Sequence, residues 1–465
     1  MLPKERYKKL KEYLSAENPV LLEVINYYQE LDKVAYKIGL LDTDETYTSN
    51  ISWWPMISIL GTFSAGKSTF INDYLGADIQ QTGNQAIDDK FTVMCYGDNE
   101  EVTTLPGLAL DADPRFPFYN ISKEVEKVDP GEGNRVNLYL QLKTLNSPKL
   151  KGKIIIDSPG FDADSQRDGI LKITNHIVEM SDLVLIFFDA RHPEPGAMRD
   201  TLEHLVSKAI AHKDANKILY ILNQIDTTIK EDNLEDVIGS WQRALSQEGL
   251  ISGNFFGIYN EEAANSFEDE KALDRLKGKK DADHAKILDR MQKVGIERAY
   301  RIIKSLDDYA KEIKDHKIPI LQEALQKLSS KVFYADITVI GLLLVLITYL
   351  HIKFDIFATV LNTLEGTVAV VGVFTVILLS IHMKINSFLA KREAKSWEDR
   401  DIYISKAITH NASWWRSLFG FRSKNWQKSA KNRLDNLMIK GRESIQKLND
   451  QYVSPSGLNR DTQED

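Results

Sequence analysis

Gly61-Thr-Phe-Ser-Ala-Gly-Lys67-Ser68 has the G-x-x-x-x-G-K-[ST] spacing of a phosphate-binding loop, and its flanks suit that reading. Before it, Pro55-Met-Ile-Ser-Ile-Leu60 reads as a short buried strand. After it, Thr69-Phe-Ile-Asn-Asp-Tyr-Leu75 reads as the first turns of a helix. Gly61 and Gly66 let the backbone wrap closely around an anion. The N–H groups of Thr62, Phe63, Ser64, Ala65 and Thr69 lie where a helix start aims its unpaired donors at phosphate oxygens. Lys67 can reach the β- and γ-phosphates, and the Ser68 hydroxyl can ligate Mg²⁺.

Two further segments follow in the order such a site needs. Lys151-Gly-Lys-Ile-Ile-Ile-Asp157-Ser-Pro-Gly160 is an apolar strand ending in Asp-x-x-Gly. Asp157 can hold Mg²⁺ through water, and the Gly160 amide can meet a γ-phosphate. Lys217-Ile-Leu-Tyr-Ile-Leu222 is another buried strand, running into Asn223-Gln-Ile-Asp226. Asp226 can accept two hydrogen bonds from the N1–H and N2–H₂ edge of guanine. Gln224 stands where the common Asn-Lys-x-Asp form has a lysine whose stem lies along the base, and this weakens the case for guanine over adenine.

Near the other end, Ile337 to Ile352 carries no Asp, Glu, Lys or Arg, and neither does Gly366 to Met383. A bilayer needs about 20 mainly apolar residues per helix. The two segments therefore predict a helical hairpin that enters and returns; a buried hairpin in a soluble bundle and a shallowly inserted paddle are the alternatives. Lys327, Lys331, Lys384, Lys391, Arg392 and Lys395 lie outside it, and only Lys353 lies in the connection. That asymmetry places both flanks, and both termini, on the cytoplasmic side. Two short spans without intramembrane charge offer no ion path, which argues against a transporter.

The net charge of −8 is uneven: from Lys384 onward sixteen Lys/Arg face ten Asp/Glu, while the rest is acidic. The single Cys95 excludes a disulfide framework, and no apolar run in the first 50 residues reads as a signal peptide. In the tail Trp414, Trp415, Phe419, Phe421 and Trp426 interleave with Arg416, Arg422, Lys424, Lys428 and Lys431. This mixture suits an anionic membrane interface, and packing into a helical bundle explains it equally well. Nucleic acid is not an expected partner of a chain acidic elsewhere.

The loop with Ser68, the Asp-x-Pro-Gly turn and the flanking helices resemble the dynamin superfamily, and more specifically the G domain of the EHD ATPases. Asp89-Lys-Phe-Thr-Val-Met94, Leu105-Pro-Gly-Leu-Ala-Leu-Asp-Ala-Asp-Pro-Arg-Phe-Pro-Phe118, Leu185-Ile-Phe-Phe-Asp-Ala190 and Leu222-Asn-Gln-Ile-Asp226 carry the likeness, over roughly residues 50 to 320. No EF-hand loop of the EHD kind is seen, and a hairpin after the G domain looks instead like mitofusins and bacterial dynamin-like proteins. The resemblance implies phosphate and Mg²⁺ roles for Lys67, Ser68, Asp157 and Gly160, and for Ser64 a part in placing phosphate and attacking water. Phe63 stands where dynamin has Gln and the EHD proteins an aromatic. The family's switch I reads Pro-Thr-Thr-Asp. Here it is Ala86-Ile87-Asp88-Asp89, so Asp88 takes the place of the Mg²⁺-binding, water-holding threonine, with Thr82 and Thr92 as substitutes if the loop rearranges. Slow hydrolysis, or none, is therefore an alternative to efficient turnover.

The predicted fold is an α/β P-loop G domain, a doubly wound and mostly parallel sheet, with an α-helical stalk and a transmembrane helical hairpin. Residues 1–50 are expected to form N-terminal stalk helices, broken near Asn18-Pro19, and 51–293 the G domain. Stalk follows over 294–334, interrupted at Pro319, then the hairpin over 335–384, a helical basic-aromatic region over 385–450, and a disordered 451–465. The expected activity is hydrolysis of GTP with Mg²⁺, driving tethering, fusion or fission of a bilayer through self-association of this chain. An ATP-specific enzyme and a hydrolysis-poor nucleotide-binding scaffold are the alternatives.

Overall fold

The computed structural model describes residues 3–452 apart from 18, 83–89, 114–115, 117, 119–120, 123–125, 127–132, 161–173, 175, 192–216, 232, 248–254, 262–269, 355–363 and 414–423. It divides into two compact units, Ser49–Ile302 and Met1–Thr48 joined with Ile303–Asp465.

In Ser49–Ile302 the strands are β1 (Met56–Gly61), β2 (Phe91–Tyr96), β3 (Thr103–Pro106), β4 (Leu140–Leu145), β5 (Ile154–Asp157), β6 (Leu183–Asp189), β7 (Ile218–Asn223) and β8 (Phe255–Ile258). They form one sheet in the order β3-β4-β2-β5-β1-β6-β7-β8. β1 lies parallel between β5 and β6, and β6, β7 and β8 continue parallel. The sheet is mixed, because β2 runs antiparallel to β5 and β3 antiparallel to β4. The helix after β1, Lys67–Leu75, carries the chain away from the phosphate loop. The connection that follows brings it back, so β2 begins opposite the carboxyl end of β5, with Thr92 paired to Asp157.

Apolar residues run without interruption from Leu183 to Phe188 in β6, as a strand buried on both faces requires. Leu183, Leu185 and Phe187 pack on one side with Phe70 and Ile71 of the Lys67–Leu75 helix and with Ile287, Met291 and Val294. Val184, Ile186 and Phe188 pack on the other with Val237, Trp241 and Leu245 of helix Leu234–Gln247. The Phe188 and Trp241 ring centroids lie 4.6 Å apart. The charge-rich stretch after residue 261 is helical from Glu270 as far as Lys311, and this helix is pinned to the sheet at two points. Asp283 accepts the Gly257 N–H at 3.0 Å. The fully buried Asp182 accepts the Met56 N–H at 2.9 Å and pairs with Arg298 and Arg301 at 3.2 and 3.1 Å.

The other unit is helical. Helices Pro3–Glu17 and Pro19–Ile38 flank residue 18 as expected, since proline is welcome in a first turn and disfavours helix before it. Val24, Tyr28, Leu31, Ala35 and Ile38 form a buried stripe at spacings of four and three. Leu22, expected in that stripe, is only partly buried. The second helix packs with Lys424–Tyr452, where Lys447 meets Glu23 at 2.6 Å and Lys440 lies over the Tyr27 ring. A buried network ties the end of the segment to its start. Tyr7 donates to Asp32 at 2.6 Å, and the Tyr47 N–H donates to the other oxygen of Asp32 at 3.0 Å.

The interruption expected at Pro319 takes another form. Glu312–Lys317 is a π-helical turn, and helix Ile318–Phe354 follows without a break. A proline ring strikes the carbonyl four residues back, here that of Asp315, and the wider turn accommodates it. Two helices are long and apolar enough to cross a membrane, Lys271–Phe354 and Glu365–Glu398. Their apolar windows are 6% and 0% buried within the protein. Leu342, Val345, Val368 and Val373 are among the exposed side chains. Thr338, Thr348, Thr375 and Ser380 each return their hydroxyl to the carbonyl four residues earlier at 2.8 Å. That satisfies each hydroxyl within its own helix. The aromatic-basic stretch over 414–423 and the tail beyond 452 lie outside the described residues.

Candidate functional site

The loop leaves β1 at Gly61, where an added Cβ would stand 2.6 Å from the Phe187 carbonyl oxygen. It enters the helix through Gly66, whose φ of +84° belongs to the left-handed region and whose Cβ would meet the Asn223 amide nitrogen at 2.0 Å. Between them Ser64 also adopts a positive φ, 59°. This shape is held from the β7 side. Asn223 donates to the Ala65 carbonyl at 2.9 Å, and Gln224, itself at φ 63°, donates to the Ser64 carbonyl at 3.0 Å. Gln224 is therefore a strut of the loop.

Lys67 is 7% exposed and donates to the Gly61 and Thr62 carbonyls at 3.0 Å each. Burial pushes its ammonium below the usual lysine pKa, and the negative charge of Asp157 works against that shift. Ser68 and Thr69, both half-buried, follow in the first turn of the helix. Gly160 lies against Phe63: a Cβ there would stand 3.0 Å from the Phe63 Cα.

Asp157 ends β5, 3% exposed, beside a connection that the motif analysis missed. Gln80 donates to Asp157 at 2.6 Å and accepts from Lys143 of β4 at 2.5 Å. Lys143 also donates to the Ile79 carbonyl at 2.9 Å. Asn72, on the helix after the loop, accepts the Ile79 and Gln80 N–H groups and donates to the Gln80 carbonyl at 2.7 Å. The one sequence signal was Lys143 itself, a lysine in the middle of a strand with leucines at 140, 142 and 145. Asp88 lies outside the described residues. Of its suggested substitutes, Thr92 is fully buried and its hydroxyl accepts from Gln141 at 2.7 Å, while the exposed Thr82 borders the adjoining cavity.

The oxygens here fit a magnesium ion. Mg²⁺ prefers hard oxygen ligands, keeps several waters and leans on substrate phosphates, so it needs few protein groups. Ser68 and the buried Asp157 carboxylate are such donors. The buried Ser158 hydroxyl has no hydrogen-bond partner among the described residues. Those residues contain no cluster of three or more His, Cys, Asp or Glu suited to a metal held by protein alone.

A cavity of about 640 Å³ opens beside the loop, bordered by Gly66, Thr69, Asp73, Asn223, Tyr259 and Lys280. Asp226 does not line it. Asp226 sits in the turn Ile225–Glu231, 7% exposed. Burial raises its carboxyl pKa above the usual range, against the lowering effects of a backbone hydrogen bond and of Arg191. Arg191 is ion-paired with Asp189 at 2.7 Å.

Residues 57–225 match the model of the dynamin family. Among curated proteins, the chain is 26% identical over 219 residues to human EH domain-containing protein 2, covering 46% of this chain and 37% of that protein. It is 28% identical over 200 residues to EH domain-containing protein 1 of Bos taurus, covering 42% and 34%. The chain thus spans little more than a third of the length of these relatives. A solved structure of an oligomerised bacterial dynamin pair aligns with 92% of this chain and 78% of its own, at 15% identity and a TM-score of 0.35. The family's model thus lies across the loop, the Asp157 turn and the β7 strand, and over this segment the chain is similar to the dynamin family and to the EH domain-containing proteins.

Proposed function

We propose that this chain is a membrane-anchored, dynamin-like nucleotide hydrolase that couples self-association to tethering or remodelling of a bilayer. The carrying observation is the pre-shaped loop Gly61–Ser68 around a buried Lys67, next to the Asp157 carboxylate. Backbone N–H groups of Thr62 to Thr69 cradle the phosphates, and Lys67 offsets the charge that develops as water attacks the γ-phosphorus and the nucleoside diphosphate departs. Ser68 and Asp157 would hold Mg²⁺, which would supply further charge neutralisation when bound. Ser64 and Gly160 face the γ-phosphate side, and Asn223 and Asp226 the base. Residues 51–293 act as the G domain, 1–50, 294–334 and 385–450 as a helical stalk and basic-aromatic region, and 335–384 as a two-span hairpin with both termini cytoplasmic. The exposure of the two apolar helices supports the hairpin. An anionic membrane suits the basic tail.

GTP is the proposed substrate, from the carboxylate at Asp226. One observation favours ATP as the second reading: the Gln224 side chain is engaged with the Ser64 carbonyl, away from the base-covering role of the usual lysine. The test is Mg²⁺-dependent turnover of GTP and of ATP by the protein in liposomes, beside Lys67→Ala. Turnover of one nucleotide by wild type alone supports the enzyme and identifies the base. Tight binding without turnover makes the chain a switch, with Asp88 as the cause. Absence of both binding and turnover overturns the reading.

A further inference from the structure

We propose that Gln80, oriented by Lys143, is a positioning residue for the Asp157 carboxylate, and through it for the divalent cation. The inference rests on the Mg²⁺-nucleotide reading above. All three side chains are buried: Gln80 is 2% exposed, Asp157 3% and Lys143 8%. An ammonium group can only donate hydrogen bonds and a carboxylate can only accept them. A glutamine between the two has one consistent orientation, with Oε1 toward Lys143 and Nε2 toward Asp157. The distances, 2.5 and 2.6 Å, agree with it. Lys143 thereby selects which end of the amide Asp157 meets, from a strand two places away in the sheet order.

The backbone is held as firmly as the side chain. Asn72 grips the N–H groups of Ile79 and Gln80 and the carbonyl of Gln80, and Lys143 takes the carbonyl of Ile79. Asn72 is on the helix that begins with Lys67 and Ser68. One oxygen of Asp157 is thus referenced to the same helix that supplies the other oxygen donor for the ion. The Asp157 carboxylate is also flanked by charge on two sides, by Lys67 through space and by Lys143 through the amide. Groups that orient a metal-holding carboxylate in this manner typically change metal affinity about 10- to 100-fold when removed.

The test uses the full-length protein in liposomes, loaded with nucleotide, with Mn²⁺ as the probe. Mn²⁺ affinity is read by electron paramagnetic resonance, and nucleotide affinity is measured separately in chelator. The variants are Gln80→Met, Lys143→Met, the double variant and Lys143→Arg, with thermal unfolding of each as a check on folding. The expected result for Gln80→Met and Lys143→Met is a Mn²⁺ affinity weakened about tenfold or more. Metal-free nucleotide affinity stays within twofold. The double variant resembles the singles, because both break one relay, and Lys143→Arg recovers most of the loss. Mn²⁺ affinity unchanged in a folded Gln80→Met overturns the relay while leaving the nucleotide reading intact. So does an equal loss of metal-free nucleotide affinity, which marks a general structural role. A wild type that binds nucleotide with no response to Mn²⁺, or binds none, overturns the underlying reading and the relay with it.

Discussion

Replacing Gly66 with alanine loads two separate costs onto the phosphate loop. The backbone at φ +84° is left-handed, which costs an L-residue about 1–2 kcal/mol. The new methyl group would also stand 2.0 Å from the Asn223 amide nitrogen, so that side chain must move. Moving it breaks the 2.9 Å bond to the Ala65 carbonyl, a buried bond whose loss costs about 1–3 kcal/mol. The two together come to about 2–5 kcal/mol, or about 30- to several-thousand-fold in nucleotide affinity at 1.4 kcal/mol per factor of ten. A double-mutant cycle separates them. Asn223→Ala alone loses the same bond, and in Gly66→Ala/Asn223→Ala the methyl group has room, so only the backbone cost is added. The double variant should therefore bind better than the summed singles predict, by about 1–3 kcal/mol of coupling. The assay is equilibrium titration of a fluorescent nucleotide against the four proteins at fixed Mg²⁺. Gly66→Ala binding within threefold of wild type, or a strictly additive cycle, would refute the steric reasoning.

Tyr7→Phe removes the donor to the buried Asp32 carboxylate and should cost the helical unit about 2 kcal/mol, seen as faster hydrogen exchange at the Tyr47 amide that shares Asp32; unchanged exchange would count against the network. Asp182→Asn leaves Arg298 and Arg301 facing a neutral amide and weakens the anchor of β1 by about 3 kcal/mol, readable as loss of exchange protection in β1. Protection equal to wild type would show that the arginines hold the helix without it. Nucleotide affinity should also depend on acid. Asp226 must be ionised to accept from guanine, and its carboxyl titrates above the usual range because it is buried. Protonation on acidification removes the acceptor, so GTP affinity should begin to fall at a higher pH than an ordinary aspartate would cause, and Asp226→Asn should be weak and flat across that range. A wild-type profile as flat as that of the variant would exclude Asp226 from base recognition.

The central strands and the phosphate loop were legible because each is a local signal. β1, β5, β6 and β7 are short apolar runs bounded by polar turns, and the loop carries its chemistry in eight consecutive residues. Strand direction was not legible. Alternation looks the same in parallel and antiparallel strands, and β2 reverses only because the chain returns to the loop end before entering the sheet. Gln80 and Lys143 escaped notice for a related reason. They lie 63 positions apart, and their meaning comes from a juxtaposition that spacing along the chain does not encode. Gln224 read as a missing lysine, whereas its position also demanded a donor for the Ser64 carbonyl. Pro319 was rightly placed as a disturbance, but a proline says only that a helix must adjust; neighbouring packing decides between a break and a widened turn.

The helical unit is assembled from both ends of the chain, Met1–Thr48 and Ile303–Asp465. During synthesis this imposes an order of events. Helix Pro19–Ile38 emerges with Val24, Tyr28, Leu31 and Ile38 uncovered, and one of its packing partners, Lys424–Tyr452, is made much later. The whole Ser49–Ile302 unit and both apolar helices leave the ribosome in between. The amphipathic helix Pro19–Ile38 must therefore be shielded until Lys424–Tyr452 is made, by a chaperone or by transient pairing with its neighbour Pro3–Glu17. A chain truncated before Lys424 would expose the same stripe permanently, and quality control would meet it as an unfinished protein.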